Sequence, residues 1–244
     1  MALSTKPPRS NAALIEVGIK GIGRIYLRDK TTDAAVLDQI FKAGMLDVTA
    51  TSQFGWIKSR YEKAVSTGET PLIVDCGSNI GLSSLFFSFH LPKARVVAIE
   101  PARDNVEVAL KNTAGRSNIE TITAAVGDKQ GLVEISDPAA EKWAYRVRDA
   151  AQPTDRTVDV LRLNDVMSRY GAKRILIAKI DIEGAEAALF RSNLEWLDRT
   201  DLLIIELHDW MLPGEGTSRS FFKALEGRNF ETVQNAENMF VFFR

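Results

Sequence analysis

Apolar positions along this chain alternate between two periods, and the alternation predicts its elements. "RIYLR" (24–28) has the two-residue period of a strand, whereas "DAAVLDQIFKAGML" (33–46) has helical spacing, with Val36, Ile40 and Phe41 on one side. A second helical stretch, "FGWIKSRYEKAVS", ends before Gly68. Beyond it come "PLIVDCG", "ARVVAIEP", "IETITAAVGD", "GLVEIS", "TVDVLRL", "RILIAKIDIEG" and "DLLIIELHD", short runs rich in Val, Ile and Leu and bounded by turn residues. Helical stretches, among them "RDNVEVALKNT" and "EAALFRSNLEWL", separate several of these runs. Such an order predicts an α/β fold, a mostly parallel sheet with helices on both faces. The end of the chain differs: "RSFFKALEG" reads as a helix, and "FETVQ" and "MFVFF" as strands joined by the short turn "NAEN". That connection makes a C-terminal antiparallel hairpin.

Composition sets the scale. The 244 residues are 45% hydrophobic, enough for one sizeable core. Residues 71–244 are expected to form that core, 13–70 to pack on it and shape an acceptor site, and the polar start at 1–12, with Pro7 and Pro8, to be a disordered tail. With 31 basic and 32 acidic residues the net charge is −1, so the chain lacks the basic excess that favours a nucleic-acid partner. No apolar run approaches the roughly 18 residues of a membrane span, and "MALSTKPPRSNAAL" lacks the apolar centre of a signal peptide. A cytoplasmic location is therefore expected, and a homo-oligomer is left open. The one cysteine, Cys76, excludes an internal disulfide and a zinc site of several thiolates, and reads as a small packed residue.

The chemistry begins at "IVDCGSNIGLSSLFF" (73–87), where a strand ending at Asp75 bends through Gly77 and Gly81 into a helix. In open α/β sheets that edge binds ligands, and glycines let a ligand approach the backbone. Dinucleotide loops leave their helix N–H groups to a pyrophosphate, which Asp75 would repel, so the loop suits a ligand bearing positive charge. Glu100 ends the next strand about 20 residues on, the distance at which an acid reaches ribose hydroxyls. An acidic loop plus a ribose acid suggests S-adenosylmethionine, whose amino and sulfonium groups are cationic. An NAD-dependent oxidoreductase would share the glycine loop and the ribose acid, but Asp75 and the antiparallel end count against it. A non-catalytic nucleoside-binding protein would keep the fold without ordered groups on the acceptor side.

Four stretches, "PLIVDCGSNIGLSSLFF", "ARVVAIEPARDNVEVALKN", "AAVGDKQGLVEI" and "IAKIDIEGAEAALF", resemble in order the sequence blocks of the FkbM family of S-adenosylmethionine-dependent methyltransferases. The resemblance covers about residues 24–244. It implies the class I methyltransferase (Rossmann-like) fold, a seven-stranded sheet with a terminal antiparallel hairpin. It also implies that Asp75, Gly77, Ser78, Asn79 and Gly81 form the cofactor loop, that Glu100 with Pro101 holds the ribose, and that Ala125 and Val126 lie beside the adenine. Asn79 stands where many other methyltransferases have a glycine. The reactions it implies are mainly O-methylations of hydroxyls on sugars, polyketides and similar metabolites, so the expected partner is a small-molecule or glycan acceptor.

An alcohol keeps its proton at neutral pH, so O-methylation requires in-line placement and a proton acceptor. "KIDIEGAE" supplies Lys179, Asp181, Glu183 and Glu186, and "IIELHDW" supplies Glu206 and His208. Period-two alternation predicts that Asp181 shares a side with Glu183, and Glu206 with His208. The expected catalytic residues are Asp181, Glu183 and His208, the last as general base because its unperturbed pKa is near neutral. Glu186 is read as the start of the next helix, its charge favoured by the dipole. In a second route Asp181, Glu183 and Glu206 hold Mg²⁺. The metal-free base is preferred, since the carboxylates lack the fixed spacing of a metal motif. On the substrate side, segments 137–156, with Trp143, Tyr145 and Val147, and 209–219 are candidate lids, and Arg28 is either a contact for an anionic group or a solvated surface charge.

Overall fold

The computed structural model describes residues 12–135, 147–154, 156–211 and 213–244. Most of the predicted tail, together with Trp143 and Tyr145, lies outside the described residues. An N-terminal hairpin, β1 (Leu14–Ile19) and β2 (Gly23–Arg28), leads into α1 (Asp33–Phe41) and α2 (Phe54–Ser66). Then come β3 (Leu72–Cys76), α3 (Leu82–His90), β4 (Arg95–Glu100), α4 (Arg103–Asn112) and β5 (Ile119–Thr123). Four short strands follow: β6 (Ala125–Val126), β7 (Gly131–Ile135), β8 (Val147–Asp149) and β9 (Thr157–Leu161). The chain continues through α5 (Leu163–Arg169), β10 (Ile175–Ile180), α6 (Glu186–Leu189), β11 (Thr200–Glu206), α7 (Arg219–Leu225), β12 (Phe230–Asn235) and β13 (Asn238–Phe243).

Seven strands form the main sheet in the order β12-β13-β11-β10-β3-β4-β5. Strands β11, β10, β3, β4 and β5 are parallel, and β13 joins β11 antiparallel, so the predicted mostly parallel sheet with a terminal hairpin is what forms. Alternation along each strand feeds two cores. Val74, Leu203 and Ile205 pack on one face with Leu163 of α5 and Phe221 of α7, while Ile73, Leu202 and Ile204 face Ile40 of α1, Ile57 of α2 and Leu85 of α3. Helices therefore cover both faces, each burying its apolar stripe.

Several boundaries differ from the sequence reading. The helix expected over 33–46 stops at Phe41, because Gly44 takes a left-handed φ of +68° and Met45 and Leu46 fold back into buried positions. "EAALFRSNLEWL" is broken by Asn193 (φ +56°) into α6 and a 3₁₀ turn, Leu194–Arg199. The run "IETITAAVGD" splits at Ala124, and "GLVEIS" and "TVDVLRL" lie outside the main sheet: β6, β9, β7 and β8 build a second sheet in which β7 pairs antiparallel with both β8 and β9. The second sheet is mixed, because β9 also pairs in parallel with β6, Ala125 opposite Val160 and Val126 opposite Leu161. The N-terminal strand is also one arm of a hairpin, since "LIEVGI" pairs with "GRIYLR".

Candidate active site

Strand β3 lies between β10 and β4, so the chain leaves it first toward β4 and β5 and later returns on the other side at β10. The crevice at the carboxyl ends of these central strands is the ligand-binding switch point of an open α/β sheet. Gly77 occupies it with φ +75°, and a Cβ there would sit 1.7 Å from the Asp181 carbonyl oxygen. Only glycine fits, because the loop presses against the end of β10. Lys179, 8% exposed at its side chain, ties the two together by donating to the Gly77 carbonyl at 2.8 Å and pairing with Asp181 at 3.1 Å. Burial pushes its pKa down, but Asp181 and Asp75 outweigh burial and hold the ammonium above its ordinary range.

Asp75 is fully buried beneath the crevice, covered by side chains that line it. Its Oδ2 accepts from the Ser83 and Ser84 hydroxyls at 2.5 and 2.6 Å, and its Oδ1 lies 3.5 Å from Lys179. The predicted direct contact with a cationic ligand is thus not what this carboxylate is placed to make; it anchors the start of α3. Gly81 (φ +82°) is the cap of α3, with Thr113 and Ala109 close behind. Burial and then Asp75 push the Cys76 thiol up. Cys76 is therefore expected to resist a disulfide reagent at pH 8 in the native protein and to react stoichiometrically on unfolding in urea; rapid native labelling would show that β3 opens.

Two cavities meet at the loop. A narrow one, about 70 Å³, is lined by Gly77, Asn79, Glu100, Pro101 and the Ala124–Val126 stretch, and a cleft of about 300 Å³ runs past Ser78, Glu206 and His208 to Trp210. Gly77, Asn79, Asp181 and Glu183 line both. Glu100 is 4% exposed; its Oε1 accepts from the Ala102 N–H and the Asn105 amide, and its Oε2 from the Asn79 N–H at 2.9 Å. Burial raises its pKa, opposed by these three donors. Sequence patterning missed the support behind it. Arg28, read as a ligand contact or a surface charge, is neither: it is 4% exposed, forks onto both oxygens of fully buried Asp33 at 2.8 and 2.9 Å, and donates to Asn105 at 2.7 Å. A second N–H reaches Asn79 at 3.4 Å. The N-terminal segment is thereby fastened to the loop and to the neighbour of Glu100.

On the other side of Gly77 the carboxylates converge. His208 has a side chain 1% exposed, and its Nε2 lies 3.6 Å from Asp181, 3.4 Å from Glu183 and 3.5 Å from Glu206. Its Nδ1 donates to Glu186 at 2.9 Å. Glu186 does begin α6, as expected, but it is fully buried against the histidine, a role that its sequence position does not signal. Alternation is not what unites these groups, because Asp181, Glu183 and His208 lie past the strand ends. The turn does it: Glu183 (φ +55°) and Gly184 (φ +92°) fold the chain back over the crevice. Although burial opposes the charge, the carboxylates around the ring, Glu186 first and then Glu206, push His208 up to about 11, above the near-neutral value from which its role as a base was argued. Burial, then Asp181, pushes Glu183 up to about 8.

Three relatives frame this geometry. Methyltransferase sdnD of Sordaria araneosa is 28% identical over 154 residues, 50% of this chain and 60% of that protein. Methyltransferase 1 of Beauveria bassiana is 26% identical over 160 residues, 56% of this chain and 64% of that protein. The 2-O-methyltransferase NoeI of Sinorhizobium fredii is 24% identical over 156 residues, 57% of this chain and 64% of that protein. The chain thus spans less than two thirds of the length of each. Residues 75–235 match the family described as the methyltransferase FkbM domain, and the chain belongs to this family of S-adenosylmethionine-dependent methyltransferases.

Proposed function

We propose that the chain transfers a methyl group to a hydroxyl oxygen of a small molecule or glycan. The observation that carries this reading is the confluence of the two cavities at Gly77, Asn79, Asp181 and Glu183, which lets a nucleoside-side groove and an acceptor cleft share one point of contact. The residues fit the cofactor. Gly77 leaves the loop backbone bare, Asn79 accepts a left-handed φ of +49°, and Glu100 keeps lone pairs beyond those given to its three donors. S-adenosylmethionine, when bound, supplies an electrophilic methyl on a positively charged sulfur.

The chain's own groups do the rest. Glu100 accepts ribose hydroxyls, and Ala125 and Val126, 5% and 6% exposed, offer apolar contact beside the adenine. The Asp181 carboxylate stands where the two cavities meet, which favours the cationic end of the donor and gives the acceptor hydroxyl a hydrogen-bond acceptor, while Glu183, pushed up to about 8, keeps its proton beside it. Trp210, 61% exposed at the rim of the cleft, presents a ring face on which a sugar can stack.

Titration of the purified chain with S-adenosylmethionine and with NAD⁺ tests the reading: heat with the first and none with the second is expected, and the reverse would overturn the cofactor assignment. Release of S-adenosylhomocysteine with a panel of hydroxylated acceptors tests transfer. Glu100→Ala is expected to weaken S-adenosylmethionine binding by about 1 to 3 kcal/mol, while Glu100→Asp, which keeps the charge, retains part of it. Unchanged affinity in a folded Glu100→Ala protein removes Glu100 from the site.

A further inference from the structure

The acidic crevice contains a group that is not another carboxylate. Among the described residues, Asp181, Glu206 and His208 bring one ligating atom each to within 4.8 Å of one another. The imidazole is deeply buried, 1% exposed at its side chain, and it is held at the far nitrogen: Nδ1 donates to Glu186 at 2.9 Å. That bond orients the ring and turns Nε2 toward the carboxylates, where a bound cation would take the place of the Nε2 proton. Nε2 meets them only at 3.4 to 3.6 Å, beyond the roughly 2.7–2.9 Å of a charge-assisted hydrogen bond. A buried imidazole with one nitrogen bound to a carboxylate and the other aimed at oxygen ligands is the arrangement in which histidine binds metal.

The separations are also right for a shared ion. Ligand bonds of about 2.1 Å meeting at angles of about 110° put the ligand atoms about 3.4 Å apart. This is close to the distances from Nε2 to the three carboxylates. We infer that Asp181, Glu206 and His208, with Glu183 beside them, bind one divalent first-row transition cation, and that its remaining positions face the cleft and hold the acceptor's hydroxyl oxygen. The donor set decides the class of metal: carboxylates alone would suit Mg²⁺, but an imidazole nitrogen favours Mn²⁺, Fe²⁺ or Zn²⁺. Glu186 is a positioning residue, since it touches the histidine and not the ion.

The role assigned to the ion rests on the methyl-transfer reading, but the site itself is tested without turnover. The 244-residue chain, chelator-treated and dialysed, is titrated with Mn²⁺ and followed by the electron paramagnetic resonance of free Mn²⁺. One ion per chain is expected. Glu206→Gln and Asp181→Asn should each weaken binding at least tenfold, and Glu186→Gln about tenfold through loss of imidazole orientation. A hundredfold excess of Mg²⁺ should displace little of the bound Mn²⁺. Folding of each variant is checked by circular dichroism, and S-adenosylmethionine titration of Glu206→Gln, whose side chain lines only the larger cleft, serves as a second control. Absence of Mn²⁺ binding at millimolar concentration, or binding indifferent to all three substitutions, overturns the site; equal displacement by Mg²⁺ overturns the choice of metal. Mn²⁺ binding without S-adenosylmethionine binding would sink the methyl-transfer reading and leave the ion site standing, and the opposite pair of results would do the reverse.

Discussion

Alanine at position 77 is expected to weaken S-adenosylmethionine binding about a hundredfold or more, on the order of 3 kcal/mol. Two independent effects produce the loss. The backbone is in the left-handed region at φ +75°, which costs a side-chain-bearing residue about 1–3 kcal/mol. The added methyl would also lie 1.7 Å from the Asp181 carbonyl oxygen, far inside any contact distance. That oxygen is not free to retreat, because the Asp181 N–H donates to the Cys76 carbonyl at 3.1 Å and Lys179 grips Gly77 at 2.8 Å. Either the loop or the end of β10 must move, and both border the two cavities. Calorimetric titration of a folded Gly77→Ala protein decides: affinity within threefold of the unchanged chain would show that the loop does not cradle the cofactor.

Removing the Arg28 guanidinium is expected to destabilise the protein by about 3 to 5 kcal/mol, the loss typical when one partner of a buried ion pair is deleted. Asp33 is fully buried and receives the Arg28 backbone N–H and two guanidinium N–H groups, so Arg28→Ala leaves an uncompensated carboxylate in the core. The damage should spread to the site. Asn105 loses the donor at 2.7 Å that orients it toward Glu100, and Asn79 loses its more distant one. Urea denaturation of Arg28→Ala should show the lower midpoint, and S-adenosylmethionine affinity should fall in the surviving folded fraction. Arg28→Met combined with Asp33→Leu should recover most of the stability, because replacing both charges by apolar residues leaves none stranded. A cost below about 1 kcal/mol for Arg28→Ala would mean that water reaches Asp33 and screens it.

By itself the sequence determined the layers of this protein. The apolar runs of β3, β4, β10 and β11 are buried on both faces and could belong only to the interior of a covered sheet, and the short turn between β12 and β13 could only reverse the chain. The spacing of Asp75, Gly77, Asn79 and Gly81, followed by Glu100, likewise marked the sheet edge where the two cavities lie. Tertiary structure alone decided what those residues face. Asp75 turned inward to two serines, Arg28 became buried through partners 77 and 51 residues away, and His208 found Glu186 22 residues before it. Asp181, Glu183, Glu206 and His208 were legible as neighbours from the ends of their two strands, which pair in parallel; only the fold added Glu186, which it buries against the imidazole. Periodicity reports which side of its own element a residue occupies. Whether a charge there is solvated, paired or set against other charges depends on the element opposite, and in a low-dielectric interior that partner fixes both the proton and the chemistry.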